Sequence, residues 1–248
     1  MKKDLQSFEE HNKEYNELYT LESMKGVLDN FDKEKSFEVL GFKQALDKIS
    51  GIDTHIDIGC GSGWLLYKTS PLFKRVIGIE PSKAVVEMDE KIAKERKFTN
   101  VEFLNMDMID GIKKLNIKEP VFITTATVLS HIKDFYVKEF LKVLNDLPEG
   151  SALFFDERYD KNIQQNMWHI RSRNWWAKNL PDWQLDFFGL DLSGYKSGIF
   201  GTKVKKGRKI ENFQLNSVEK VKWHANGLNH KKKRLVRFVK SKLSAKKA

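Results

Sequence analysis

Three short runs of this chain hold side chains whose type and spacing suit chemistry. The first is Asp57-Ile58-Gly59-Cys60-Gly61-Ser62-Gly63, which follows an apolar run and leads into a helical pattern. Glycine removes Cβ where a backbone must turn sharply and where a ligand must lie against it. A dinucleotide fingerprint requires G-x-G-x-x-G. Here the third such position is Trp64, and the glycines run G-x-G-x-G directly after an acid. A tight loop with that acid favours a cationic amino-acid end over a pyrophosphate. The second run, RVIGIEPS, ends its apolar part on Glu80, and the third, FLNMDM, carries Asp107. Taken singly, a plain turn, a helix-cap neighbour and a surface acid explain these three features. Their order along the chain, at the C-terminal ends of successive predicted strands, points instead to a ligand site, because that edge is where open α/β sheets bind.

The elements that must hold these residues are legible as alternating patterns. THIDI (54–58), RVIGIE (75–80), NVEFL (100–104), PVFITTA (120–126) and SALFFDE (151–157) predict buried strands. Between them, 62–70, 82–96 and 134–147 have helical spacing, which makes βαβ units and a parallel sheet with helices on both faces. The stretch 159–180 predicts a further helix, ended by Pro181. WQLDFFGL (183–190) and GIFGTKV (198–204) predict two strands around DLSGYKS, where Gly194 and Gly198 suit the positive φ of a turn. The expected fold is therefore α/β, a doubly wound, mostly parallel seven-stranded sheet with an antiparallel C-terminal hairpin. Residues 1–50 predict a helical lid or cap, 51–204 the main domain with an acceptor-side insertion at 158–181, and 205–248 a basic tail.

With those residues in view, the chain resembles the class I S-adenosylmethionine-dependent methyltransferases over roughly 50–204. HIDIGCGSGWLL is similar to the family's first motif. The resemblance implies a Rossmann-like methyltransferase fold with S-adenosyl-L-methionine as cofactor. It implies that the loop of Gly59, Cys60, Gly61 and Gly63 backs the methionine part, with Asp57 near the ammonium or a bound water. Glu80 matches the acid that bonds both ribose hydroxyls, which one carboxylate serves well with two acceptor oxygens. Asp107 matches the acid that takes the adenine amino group. Pro81, Met106 and Met108 are expected to line the ring, and Thr125 to join the cofactor side after the fourth strand.

Methyl transfer from a sulfonium is an in-line displacement, so the protein must align the acceptor, remove a proton where needed and exclude water. The Asn/Asp/Ser-Pro-Pro-Tyr/Phe stretch of the family's nucleobase and glutamine methylators is absent. TVLSHI (127–132) is instead similar to a stretch of many small-molecule methyltransferases. His131 is therefore the expected general base, because imidazole titrates near working pH; the plainer role is a histidine that supports its loop. His169 is a second base candidate. Arg158, Tyr159, Arg171 and Trp175 are expected to contact the acceptor, with Trp168, Arg171 and Trp175 near one helix face. Tryptophans with arginines suit a sugar or a phosphate-bearing acceptor, or else an amphipathic helix burying its rings on the sheet. Tyr15 and Tyr19, one turn apart, belong to a lid over the site or to simple packing at the sheet edge. No metal site is expected, since the acids are scattered and no His pair has helical spacing.

Composition narrows the setting. Over 248 residues, 40% are apolar and 12% aromatic, which supports a real core. The one cysteine excludes an intramolecular disulfide framework, and no apolar run is long enough for a span. No secretory signal is read at MKKDLQSFEE, so the expectation is cytoplasmic. The net charge of +10 divides unevenly: residues 203–248 carry 16 Lys/Arg against Glu211 and Glu219, and the rest of the chain is net −4. In the tail, Leu235, Phe238, Val239 and Leu243 form a stripe flanked by cations. A solvated end, an anionic membrane surface or nucleic acid all suit it. The 36 Lys against 8 Arg weaken the nucleic-acid case. The expected partner is a small polar acceptor, with a sugar or a phosphorylated intermediate of surface polysaccharide synthesis as the class read from the Trp/Arg region and the tail. An RNA or protein methyltransferase docked by its tail and a non-catalytic module of the same fold are the alternatives.

Overall fold

Runs rich in Ile, Val and Phe form strands because their side chains can be covered on both faces of a sheet. In the computed structural model β1 (Thr54–Ile58), β2 (Arg75–Glu80) and β4 (Val121–Ala126) are buried at all but one residue each. The structure describes Phe42, residues 45–158, His169, residues 171–190 and residues 196–205. Tyr15, Tyr19, Tyr159, Trp168 and the tail beyond 205 lie outside the described residues, as does the side chain of Arg158.

The remaining elements are α1 (Trp64–Thr69), α2 (Lys83–Glu95), β3 (Val101–Asn105), α3 (Met108–Leu115), a 3-10 turn (Leu129–His131), α4 (Asp134–Asn145), β5 (Ala152–Arg158), α5 (Arg173–Asn179), β6 (Trp183–Leu190) and β7 (Lys196–Lys203). The seven strands of the described residues form one sheet in the order β3-β2-β1-β4-β5-β7-β6. Strands β1 to β5 run parallel, and β7 is antiparallel to both β5 and β6. The order reverses between β1 and β4, so the chain leaves these two neighbours toward opposite sides and a crevice opens at their C-terminal ends.

The sheet separates two apolar layers. Ile56, Ile79, Ile123, Phe140 and Leu144 belong to one. Leu66, Tyr67, Phe122, Phe154 and Phe200 belong to the other, where Phe42 sets its ring 6.0 Å from Phe122 and 5.6 Å from Phe154. Fully burying one such side chain stabilises by about 1.5–3 kcal/mol.

Two local expectations need correction. The stretch before Pro181 is not one continuous helix: His169, Arg171 and Ser172 are non-helical, and α5 starts only at Arg173. The Ser172 side chain accepts from the Trp175 amide at 3.2 Å and so sets the start of the helix. Arg171 therefore does not share a helix face with Trp175. Gly198 is no turn residue either, since it lies within β7 opposite Asp156, where the hairpin pairing continues past it.

Candidate active site

The loop after β1 needs its glycines. Gly59, Gly61 and Gly63 have φ of 64°, 54° and 66°, the left-handed region that disfavours a Cβ. A Cβ on Gly59 would also stand 2.7 Å from Val128 Cγ2, because the loops after β1 and β4 meet there. The Gly59 amide donates to Ile79 O at 2.7 Å and the Gly63 amide to Cys60 O at 3.0 Å, which close the turn. Cys60 is buried with its thiol toward Gly78, Leu66 and Phe103; a Cβ at Gly78 would lie 2.6 Å from Sγ. Only the backbone of Cys60 is therefore left to line the loop.

Three acids surround this turn from three strand ends. Glu80, 1% exposed, accepts from the Ser82 amide on Oε1 at 3.0 Å and from the Gly61 amide on Oε2 at 3.2 Å. Burial pushes its carboxyl up, and the two amides oppose that shift. Asp57 is buried on β1 and accepts from Thr124 Oγ1 at 2.5 Å. Burial raises it to about 7, against the Thr124 hydrogen bond and with the Glu80 charge adding to the rise. Asp107 caps α3, its Oδ1 accepting from the amides of Ile109 at 2.8 Å and Asp110 at 3.0 Å. Burial, with the Asp107 charge adding, pushes the Tyr136 hydroxyl of α4 up. Met106 is half-buried beside Asp107, and the Pro81 carbonyl accepts from Asn105 Nδ2 at 2.9 Å. Met108 departs from the expectation: as the first residue of α3 it points into the apolar layer with Ile79 and Ile112.

Across the crevice, the loop after β4 is held from two sides. Thr127 has φ of 64°, a conformation costing about 1–3 kcal/mol for a β-branched residue, and its amide donates to Asp156 O at 2.8 Å. Glu157, buried on β5, accepts on Oε1 from Thr125 Oγ1 at 3.0 Å and the Leu129 amide at 3.1 Å, and on Oε2 from the Ser130 amide at 2.9 Å. Thr125 thus gives its hydroxyl to Glu157. Burial raises Glu157, with those three donors opposing.

Arg171 braces the same turn from outside. Its Nη1 donates to Leu129 O at 2.6 Å and to His169 O at 3.3 Å, its Nη2 donates to Ile132 O, and it pairs with Asp134 at 2.9 Å. The guanidinium carbon stands 5.0 Å over the Trp175 ring, which meets Trp176 edge-on at 5.1 Å. Arg171 was expected to offer its donors to an acceptor; being only 5% exposed, it directs them to backbone carbonyls instead. His131 ends the bracketed turn and is half-buried. The His169 amide donates to Ser130 O at 2.6 Å, so both base candidates reach one loop.

The arrangement offers a glycine cradle and three acids on one side of the switch point, and two imidazoles on the other. Among the described residues no group of three or more His, Cys, Asp or Glu is placed to hold a metal ion. Sequence reasoning gave no role to Thr127, Tyr136 and His55, nor a partner to Glu157 at the end of SALFFDE. An acid closing a strand of SALFFDE and a histidine inside an apolar run were the available signals, but neither states its partner.

Residues 50–168 match the family model described as a methyltransferase domain. A probable S-adenosylmethionine-dependent methyltransferase, CRG1, of Saccharomyces cerevisiae is 43% identical over 51 residues, 20% of this chain and 18% of that protein. The ubiquinone biosynthesis O-methyltransferase of Pelagibacter ubique is 26% identical over 136 residues, 52% of this chain and 53% of that one. The chain thus spans about half the length of one of these curated relatives and less than a fifth of the other. Among solved structures, the geranyl diphosphate C-methyltransferase of Streptomyces coelicolor A3(2), in complex with Mg2+, geranyl diphosphate and S-adenosyl-L-homocysteine, superposes with a TM-score of 0.57 at 16% identity, over 75% of this chain and 83% of that one.

Proposed function

We infer that this chain, whose residues 50–168 match a methyltransferase-domain model, is a class I S-adenosylmethionine-dependent methyltransferase that transfers a methyl group from that cofactor to a small polar acceptor. The observation that carries the reading is Glu80: a buried carboxylate at the switch-point edge, held by amides of the glycine loop and of the following turn. Such a group is costly unless a ligand or a hydrogen-bond set uses it.

The residues present fit the cofactor. The positive-φ loop leaves no Cβ between backbone and ligand, Glu80 keeps lone pairs for two ribose hydroxyls, and Asp57 offers a carboxylate to an ammonium. Asp107 has one oxygen committed to its cap and the other available to an adenine amino group. Bound there, S-adenosylmethionine supplies a methyl group on a positively charged sulfur. The work of the chain is then to exclude water, align the acceptor and take its proton. His131 takes that proton on an imidazole nitrogen, and Glu157 and Arg171 keep its turn still. His169 stands in reserve on the same loop.

The acceptor class we propose is a sugar or a phosphate-bearing intermediate, in keeping with Arg158 and Trp168 of the sequence, since Arg171 and Trp176 are committed to the turn and the core. The names of one curated relative, an O-methyltransferase of ubiquinone biosynthesis, and of one solved structure, a C-methyltransferase of geranyl diphosphate, support small molecules over macromolecules. The tail is proposed to draw the enzyme to an anionic membrane surface, through its lysines and its apolar stripe. No helix among the described residues is long and apolar enough to cross a membrane. A screen with methyl-labelled cofactor against sugars, nucleotides and phosphorylated acceptors tests the activity. Calorimetry with S-adenosylmethionine tests its premise, and no binding at millimolar ligand overturns it. Nanomolar, tail-dependent and salt-sensitive RNA binding would overturn the small-molecule reading.

A further inference from the structure

We propose that His55 is a positioning residue for the cofactor carboxylate Asp57, acting through Thr124, in a chain of hydrogen bonds that runs Thr69–His55–Thr124–Asp57. The proposal rests on the reading of Asp57 as the group that faces the cofactor's ammonium, and extends it to three residues that touch no ligand.

The geometry is closed at every link. His55 is fully buried on β1. Its Nδ1 lies 2.8 Å from Thr69 Oγ1 at the end of α1, and its Nε2 lies 2.8 Å from Thr124 Oγ1 on β4. Thr124 Oγ1 in turn lies 2.5 Å from Asp57 Oδ1. A hydroxyl has one proton to give. When Asp57 is ionised, Thr124 gives that proton to the carboxylate, so it must accept from His55 through an Nε2–H. Burial holds the ring neutral by pulling it down to about 3, which leaves Nδ1 bare. Thr69 must then donate to Nδ1. Thr69 Oγ1 also lies 3.0 Å from Leu65 O and 3.2 Å from Leu66 O. Directing its proton to the ring leaves those carbonyls to the helix ladder, where the Ser70 amide already donates to Leu66 O at 2.8 Å. Every donor along the chain then points toward Asp57.

Packing alone does not call for a histidine here. The ring is set between Phe73 at 5.3 Å and Phe122 at 5.4 Å, in an apolar layer that a hydrocarbon side chain would fill. Burying an imidazole there is unfavourable unless both nitrogens are bonded. Both are. The chain ties the C-terminal end of α1, the helix that follows the glycine loop, to β1, β4 and the carboxylate. It thereby fixes Oδ1 and leaves the other carboxylate oxygen to a ligand.

The titratable groups facing Asp57 are Glu80 from β2 and the Cys60 thiol of the loop, besides His55 on its own strand; β4 contributes the neutral Thr124. None of these is a cation. The hydrogen bond from Thr124 is the protein's means of favouring the ionised acid, and a ligand's ammonium would add to it.

Two measurements test this. In ligand-free wild-type protein, long-range 15N–1H spectra of the imidazoles should show His55 as the neutral Nε2–H tautomer at pH 8. An imidazolium, or the Nδ1–H tautomer at that pH, overturns the relay without any reference to catalysis. Next, S-adenosylmethionine affinity is measured by calorimetry across pH 6–9 for wild type, Thr124→Ser, Thr124→Val and His55→Phe. Thr124→Ser keeps the hydroxyl and should bind like wild type. Thr124→Val should bind about tenfold more weakly at pH 7, with the pH at which affinity rises displaced upward by about one unit. His55→Phe should shift in the same direction by less, with its melting temperature reporting whether the ring's packing survives. Wild-type affinity and pH dependence in both Thr124→Val and His55→Phe overturn the proposal. Failure of wild type to bind the cofactor would instead strike the functional reading, while the tautomer still judges the relay.

Discussion

The backbone amide of His169 donates to the carbonyl of Ser130 over 2.6 Å, which brings two histidines 38 positions apart in sequence to the same loop. The contact separates their roles. His131 ends a turn bracketed by Glu157 and Arg171, whereas His169 is delivered by a segment that docks on that turn from outside.

The proton acceptor is therefore expected to be His131. His131→Ala should lower turnover about a hundred- to ten-thousand-fold and leave S-adenosylmethionine affinity within a factor of about two. His169→Ala should lower it about tenfold or less. Steady-state kinetics beside calorimetry reads both; unchanged turnover in His131→Ala would remove the residue from the chemistry.

Glu157 is expected to act on turnover and on stability together. Glu157→Ala leaves the Thr125 hydroxyl and the Leu129 and Ser130 amides without their acceptor in a buried setting. The loss should be about 2–4 kcal/mol, seen as a lower denaturation midpoint. Glu157→Gln keeps one acceptor oxygen and should fold better, with turnover reduced and KM for the cofactor little changed.

Glu80 carries the cofactor side. Glu80→Ala should weaken S-adenosylmethionine binding about ten- to a hundredfold, the range for charged hydrogen bonds worth about 1.5–3 kcal/mol. Competition with S-adenosylhomocysteine should show the same ratio, because both share the ribose. Equal binding by the variant would place the ribose elsewhere.

Asp89 sets a pH dependence of folding. It is fully buried on α2 with no hydrogen-bond partner on either carboxylate oxygen, and burial, with the Glu80 charge adding, raises it from 3.8 to about 8. Below about pH 4 both folded and unfolded chains hold the proton and the group costs nothing. As pH rises toward 8 the unfolded chain ionises while the folded one keeps its proton, so stability falls; above 8 the loss is constant. Asp89→Asn should remove this slope and stabilise the protein at pH 8 by about 2 kcal/mol. Denaturant unfolding at pH 5 and pH 8 measures it, and an equal pH slope in the variant would show that Asp89 is not its source.

What the sequence by itself determined was the alternation of strands and helices and the rim on which chemistry sits. β1 and β2 run over the residues expected, β4 starts one residue later, and β3 and β5 are each shifted by one residue toward the C-terminus. Such runs are legible because burial on both faces of a sheet imposes an apolar pattern that local sequence must carry. The glycine loop, Glu80 and Asp107 were legible for a like reason, since positive φ and strand-end acids leave marks within a few residues. Direction and partnership were not. That Arg171 turns its donors to Leu129 and Ile132, that Met108 points inward, and that Glu157 gathers the His131 turn all depend on contacts between segments tens of residues apart. His55 shows the limit best: within THIDI it is one polar residue in an apolar strand, and only the packing of α1 and β4 around it supplies the two hydroxyls that its ring nitrogens meet. A side chain's type is written locally, but its hydrogen-bond partner is chosen by the fold that surrounds it.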